Sequence, residues 1–182
     1  MWGFDHWRKF GTGGKSDNAG NGRDRGGSRY SDFYAFDSSV DTGKADLYYS
    51  MGSDTAASDF SLIKKSLSEK VRSFSGVDGK PTEKYLPYFN ICGEKFGVVL
   101  GIGWTGQWAS ELSAKDGLTN ISVKQEEFNA YLLPGEEVRS PLVSLSFYKN
   151  DNALKGFNLF RSWIMDSVYP ENVTKNYYTV ME

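Results

Sequence analysis

The chain has 182 residues, a formal net charge of −2, and 15% aromatic residues within a 39% hydrophobic total. One domain of this length can bury a sizeable core, and the charge balance lacks the basic excess of many nucleic-acid binders. No apolar run reaches the roughly 18 residues of a membrane span, and the first residues lack the apolar stretch of a secretory signal.

Cys92 is the single cysteine and His6 the single histidine. An intrachain disulfide and a thiolate metal cluster are thereby excluded. A Ser-His-Asp triad or a Cys-His pair would need the histidine beside the chain start and is not expected; neither is a metal site or a cofactor. The lone cysteine and the missing signal lean toward the cytoplasm.

Three regions follow in chain order. Residues 1–58 are polar, glycine-rich and spotted with aromatics. Gly11 to Arg29, "GTGGKSDNAGNGRDRGGSR", has almost no aliphatic side chains and reads as a long loop. Its "GGKS" is not a phosphate loop, because the glycine that the motif needs five residues before Gly14 is Lys9. "YSDFYAF" (Tyr30 to Phe36) and "DLYYSM" (Asp46 to Met51) are plausible strands. The acidic residues Asp37, Asp41, Asp46, Asp54 and Asp59 are read as solvated loop charges, with no pattern that singles out a catalytic pair.

Residues 59–150 carry the pattern of antiparallel strands. Phe96 to Ile102 is a continuous apolar run; "NISVKQ" places Ile121 and Val123 on one face, and "EEFNAYLL" alternates through Phe128, Ala130 and Leu132. Pro134-Gly135 is the favoured centre of a type II turn. "PLVSLSFY" puts Val143, Leu145 and Phe147 on one side and Ser144 and Ser146 on the other. Short alternating strands between turns predict a mainly β, antiparallel sandwich. Residues 151–182 change period. Leu154, Phe157, Phe160 or Arg161, and Ile164 form a helical stripe widened by Trp163, with Asp151 or Asn152 as cap and Pro170 past the end. Such a stripe needs covering.

"GIGWTGQWAS" (Gly101 to Ser110) brings two large rings beside a flexible backbone. Trp104 and Trp108 could form a sugar-stacking platform with the Gln107 amide beside it. Alternatively they pack in the core, since positions four apart share a strand face. Tyr85, Tyr88 and Phe89 flank Pro87 in "YLPYFN" and favour packing or an interdomain surface over ligand binding.

Taken together, "GKPTEKYLPYFNI" (Gly79 to Ile91), "GVVLGIGWTGQWAS" (Gly97 to Ser110), "YLLPGEEVRSPLVSLSFY" (Tyr131 to Tyr148) and "NLFRSWIMDSVYP" (Asn158 to Pro170) resemble the N-terminal region of glycoside hydrolase family 36 α-galactosidases. The match runs from about residue 73 to 170. It implies a β-sandwich of the galactose mutarotase-like, or supersandwich, kind with a C-terminal helix that leads toward a catalytic (β/α)₈ barrel. The two catalytic aspartates of that family lie in the barrel, roughly 5 Å apart as a retaining mechanism requires, so no residue here inherits either role. In the motifs, Arg139 and Arg161 stand as structural arginines, with Glu136 or Glu137 as partners for Arg161. The resemblance implies a non-catalytic domain that supports a barrel, oligomerisation and an α-galactoside pocket, with Trp104, Gln107 and Trp108 as substrate contacts. Two other readings stand beside it: a stand-alone carbohydrate-binding module, and a purely structural assembly domain. Neither nucleic acid nor membrane is an expected partner.

Overall fold

The computed structural model describes residues 28–135, 137, 141–149 and 152–168, with side chains from 38 to 126 and, within those ranges, from 133 to 167. The readings placed on His6, the "GGKS" loop, the side chains of Asp37, Phe128, Ala130 and Leu132, the residues Glu136, Arg139 and Asp151, and the tail with Pro170 lie outside the described residues.

Nine strands precede one α-helix among the described residues: β1 (Ser28–Asp41), β2 (Ala45–Met51), β3 (Leu62–Ser66), β4 (Arg72–Ser75), β5 (Tyr85–Gly93), β6 (Gly97–Gly103), β7 (Trp108–Lys115), β8 (Leu118–Leu132), β9 (Leu142–Tyr148) and α1 (Ala153–Trp163). They form two antiparallel sheets, ordered β1-β8-β7-β4 and β3-β2-β5-β6-β9. The architecture is the mainly β sandwich with a C-terminal helix that the strand pattern predicts. Its sheets begin at Ser28, ahead of the boundary drawn at residue 59. Strands β1 and β2, from the segment read as polar, are paired members of the two sheets. The stretches "NISVKQ" and "EEFNAYLL" form one continuous strand, β8, because no turn residue separates them.

Two tight turns come straight from local chemistry. Asp116 and Gly117 have φ of 51° and 80° between β7 and β8, the paired left-handed geometry of a type I′ hairpin, which an Asp-Gly pair adopts readily. Asp78 and Gly79, at 51° and 74°, do the same between β4 and β5. Gly135 has φ of 86° after Pro134, as the second central residue of a type II turn requires.

Period-2 patterning sends one face of each sheet inward. Trp108 and Leu112 on β7 and Ile121 and Val123 on β8 meet Leu47, Phe89, Ile91, Val98 and Leu100 from the other sheet, and all nine are fully buried. Phe74 of β4 stands amid Tyr49, Tyr85 and Phe89, with ring centroids 4.8–5.1 Å apart. Pro87 of β5 falls where the β2–β5 register is irregular, between Tyr49 and Met51, the position at which a residue without an N–H does least harm to a ladder.

Strand β6 is buried on both faces. Val98, Leu100 and Ile102 point into the core; Gly97, Val99 and Gly101 face the opposite way and are covered as well. This is why Phe96 to Ile102 reads as an unbroken apolar run rather than an alternating one. The cover is α1, which packs across β5, β6 and β9. Asn152 caps the helix by accepting the Leu154 N–H at 2.9 Å, as one of the two expected caps. The buried stripe keeps the predicted Phe157, Phe160, Trp163 and Ile164 and departs from the prediction only at its first turn. Gly156 is buried, with Phe157, Phe160 and Trp163 half-buried, whereas Leu154 is 62% exposed. A tight glycine contact with the sheet, rather than aliphatic content, sets which side of the helix faces in. The chain continues from α1 into a single π-helical turn, Ile164–Val168.

Leu100 sits at the centre of this double burial. Leu100→Ala should lower unfolding free energy by about 3 kcal/mol in urea titration, whereas Leu154→Ala should change it by less than about 0.5 kcal/mol.

Candidate functional site

Residues Trp104–Gln107 are four residues between β6 and β7, and those strands belong to different sheets. The stretch is therefore the crossing of the sandwich from one layer to the other. A crossing segment leaves ladder groups behind, so its backbone and side chains must find other partners.

Gln107 supplies most of them. Its amide nitrogen Nε2 donates to the Gly76 carbonyl and to Glu126 Oε2 at 3.2 Å, and its Oε1 accepts the Gly79 N–H at 3.0 Å. The amide thus clasps the β4–β5 turn to the crossing. The Gly76 N–H donates to the Trp108 carbonyl at 2.9 Å, and the Glu126 N–H donates to the Gln107 carbonyl at 3.2 Å. Trp108 is fully buried; its indole Nε1 donates to the Pro81 carbonyl at 2.8 Å, and its ring meets the Phe89 ring edge-on at 6.0 Å. Trp104 is half-buried against the rim of the core. Its ring lies over Gly106, where an added Cβ would stand 3.0 Å from the indole nitrogen.

The three residues considered as substrate contacts are thus brought into one turn but given different tasks. Trp108 is a core residue, closed to a sugar because its ring and N–H are both used inside. Gln107 spends donors and acceptor on the protein's own backbone and on the Glu126 carboxylate. Trp104 alone keeps part of its ring open to solvent. Burial separates the rings: the four-residue spacing crosses a bend between sheets, so they make no shared platform.

A second cluster lies on the outer face beneath α1. Tyr148 donates from its hydroxyl to Asn90 Oδ1 at 2.7 Å, and Asn90 Nδ2 donates to the Ala153 carbonyl at 2.8 Å. Burial, then the neighbouring Cys92 thiol, pushes the Tyr148 hydroxyl well above the ordinary tyrosine value. Tyr88 turns outward to Phe157 and Phe160, at 6.5 and 6.1 Å between centroids, while its neighbours Tyr85 and Phe89 serve the core, so "YLPYFN" is a packing segment on both sides. Sequence reasoning passed over Asn90 and Gly156. The available signal was an asparagine set between Phe89 and Ile91, in a strand otherwise fit for burial.

Arg161 is exposed on α1, beside Asn158, Ser162, Met165 and Asp166 around a shallow depression of about 310 Å³. The carboxylates have structural partners. Asp41 meets Lys95 at 2.6 Å, Asp46 meets Lys64 at 2.8 Å and accepts from Ser66, and Asp59 accepts from Ser53 and from the Asp54 and Ala56 N–H groups. Hydrogen bonds from Lys95, Lys64 and Ser53, respectively, hold all three carboxyls below their ordinary range. A general acid in glycoside hydrolysis needs a shift the other way. Among the described residues, no group of three or more His, Cys, Asp or Glu side chains is arranged to hold a metal ion, and no helix is long and apolar enough to cross a membrane.

No family model and no curated protein matches the chain. Its fold does match solved structures. One is the α-galactosidase from Lactobacillus brevis, with TM-score 0.60 and 14% identity over 77% of this chain and 22% of that one. Another is the family GH36 α-galactosidase AgaB from Geobacillus stearothermophilus, with TM-score 0.57 and 16% identity over 74% of this chain and 21% of that one. A third is the galactosidase domain of the α-galactosidase-sucrose kinase AgaSK, with TM-score 0.53 and 18% identity over 66% of this chain and 19% of that one. The chain shares the fold of one part of these enzymes and spans about a fifth of their length.

Gln107→Ala removes the clasp, taking the side-chain donor from the part-buried Gly76 carbonyl and leaving the exposed Gly79 N–H to water. It should cost about 1 kcal/mol and speed amide exchange at Val77–Lys80. Unchanged exchange in that turn would show that the clasp does not hold it.

Proposed function

We propose that this chain is the N-terminal sandwich of an α-galactosidase-like glycoside hydrolase, a domain of the supersandwich, galactose mutarotase-like kind that does not itself cut the glycosidic bond. It supports a catalytic barrel and the enzyme's oligomerisation, and the parent enzyme takes α-galactosides. The observation that carries this reading is the fold. The fold matches 19–22% of each of these α-galactosidase chains over 66–77% of this one. Structures of AgaA variants among the similar folds hold raffinose and stachyose, which gives the sugar class for the parent enzyme. The carboxyl chemistry agrees: Asp41, Asp46 and Asp59 are held low by hydrogen bonds, so they stay ionised where an acid catalyst must carry a proton. A single half-buried cysteine suits a reducing compartment, and we assign the protein to the cytoplasm.

A second reading, direct contact with sugar, rests on the exposed part of Trp104. On this reading Trp104 stacks against a galactoside, with no help from Gln107 or Trp108.

The purified chain should give no turnover of p-nitrophenyl α-galactoside. Turnover that disappears on substituting a single residue of this chain would overturn the non-catalytic reading. In calorimetry with raffinose, heat that is lost in Trp104→Ala would support the sugar-contact reading; absence of heat in the unsubstituted chain would end it for the isolated domain.

A further inference from the structure

The face beneath α1 is unlike the face that points into the core. The inner face of β5 and β6 presents Phe89, Ile91, Val98, Leu100 and Ile102, whereas the outer face of β5, β6 and β9 presents Asn90, Gly97, Gly101, Ser144 and Tyr148. Two aromatic rings find seats there on glycines. The Tyr148 ring lies between Gly97 of the sheet and Gly156 of the helix: an added Cβ would fall 2.1 Å from its Cζ on one side and 2.5 Å from its Cε1 on the other. Phe160 covers Gly101 in the same way, with its Cζ 2.6 Å from an added Cβ. Between them the Tyr148 hydroxyl, the Asn90 amide and the Ala153 carbonyl make a buried chain of hydrogen bonds that links β9 to β5 and β5 to the first turn of the helix.

We propose that Tyr148, Asn90 and Gly156 form a latch that makes α1 a detachable strut, able to leave the sheet without opening the core. Lifting the helix exposes Asn90, Ser144, the Tyr148 phenol and the glycines, groups that water satisfies or that add little apolar area, together with Val99 and the Tyr88 ring, whose apolar area the closed latch keeps covered. The core side chains stay covered, because they face the other sheet. An 11-residue helix is too short to persist alone, so undocking and melting of α1 are one event. While the latch is closed, it fixes the direction in which the chain leaves the sandwich. The latch rests on the helix–sheet contact alone, independently of any glycosidase role.

Amide exchange on the full chain tests it. The amides of α1 should exchange faster than those of β6 in the unsubstituted protein. Tyr148→Phe keeps the ring in its glycine seat and removes the hydroxyl; it should speed exchange in α1 roughly tenfold and leave β6 unchanged. Gly156→Ala should act in the same direction. Exchange of α1 and β6 at one common rate, or an α1 rate unmoved by Tyr148→Phe, would overturn the proposal.

Discussion

The structure turns on one strand that has no exposed face. Strand β6 gives Val98, Leu100 and Ile102 to the core and, on the other side, offers glycines on which a phenylalanine and a tyrosine rest. The two burials have different physics. The inner one is removal of apolar area from water, which tolerates exchange of one aliphatic side chain for another at modest cost. The outer one is, at Gly97 and Gly101, close approach of backbone to ring, which leaves no room for a side chain at those two positions. Helix α1, the sandwich core and the crossing to β7 all take their position from this strand.

The crossing depends on β6 next. A chain that steps from one sheet to the other must leave the hydrogen-bond ladder, and here Gln107 repairs the loss with one amide directed at three groups. Trp108 then anchors the start of β7 from within, through its ring and its N–H. The arrangement explains why a pair of tryptophans, a glutamine and glycines occur together without any requirement for a ligand. Trp104 stands apart from it, seated over Gly106 at the rim.

Much of the fold was legible in the residues, and for definable reasons. Alternation in "PLVSLSFY" and "NISVKQ" reports the facing of β9 and β8, because a sheet with one covered side imposes period 2. The unbroken run at Phe96 to Ile102 signals burial on both sides. Strands β1 and β2 were legible as the aromatic stretches Tyr30 to Phe36 and Asp46 to Met51, but their full extent was not, since they carry many serines, tyrosines and aspartates whose pairing is decided by partners far along the chain. The helix stripe was legible through Phe157, Phe160, Trp163 and Ile164, but its first turn was not, because Leu154 looks like a core residue while the contact there is made by Gly156, which has no side chain to weigh. At the crossing, spacing left the facing of the two tryptophans open; the passage from one sheet to the other gives each its own surroundings. The Asp-Gly pairs at Asp78 and Asp116 carried a readable hairpin signal that the alternation argument did not need.

Strand β9 is the last of its sheet, and β1, which it touches, is the last of the other. Phe147 of β9 points toward the interior by register, opposite Val98, yet is 53% exposed. At the far side, the short edges β3 and β4 carry Lys64, Lys65 and Arg72, charges that discourage another strand from joining. The two flanks are therefore unlike among the described residues: charge guards β3 and β4, whereas on β9 an aromatic ring that the register turns inward is left half open to solvent.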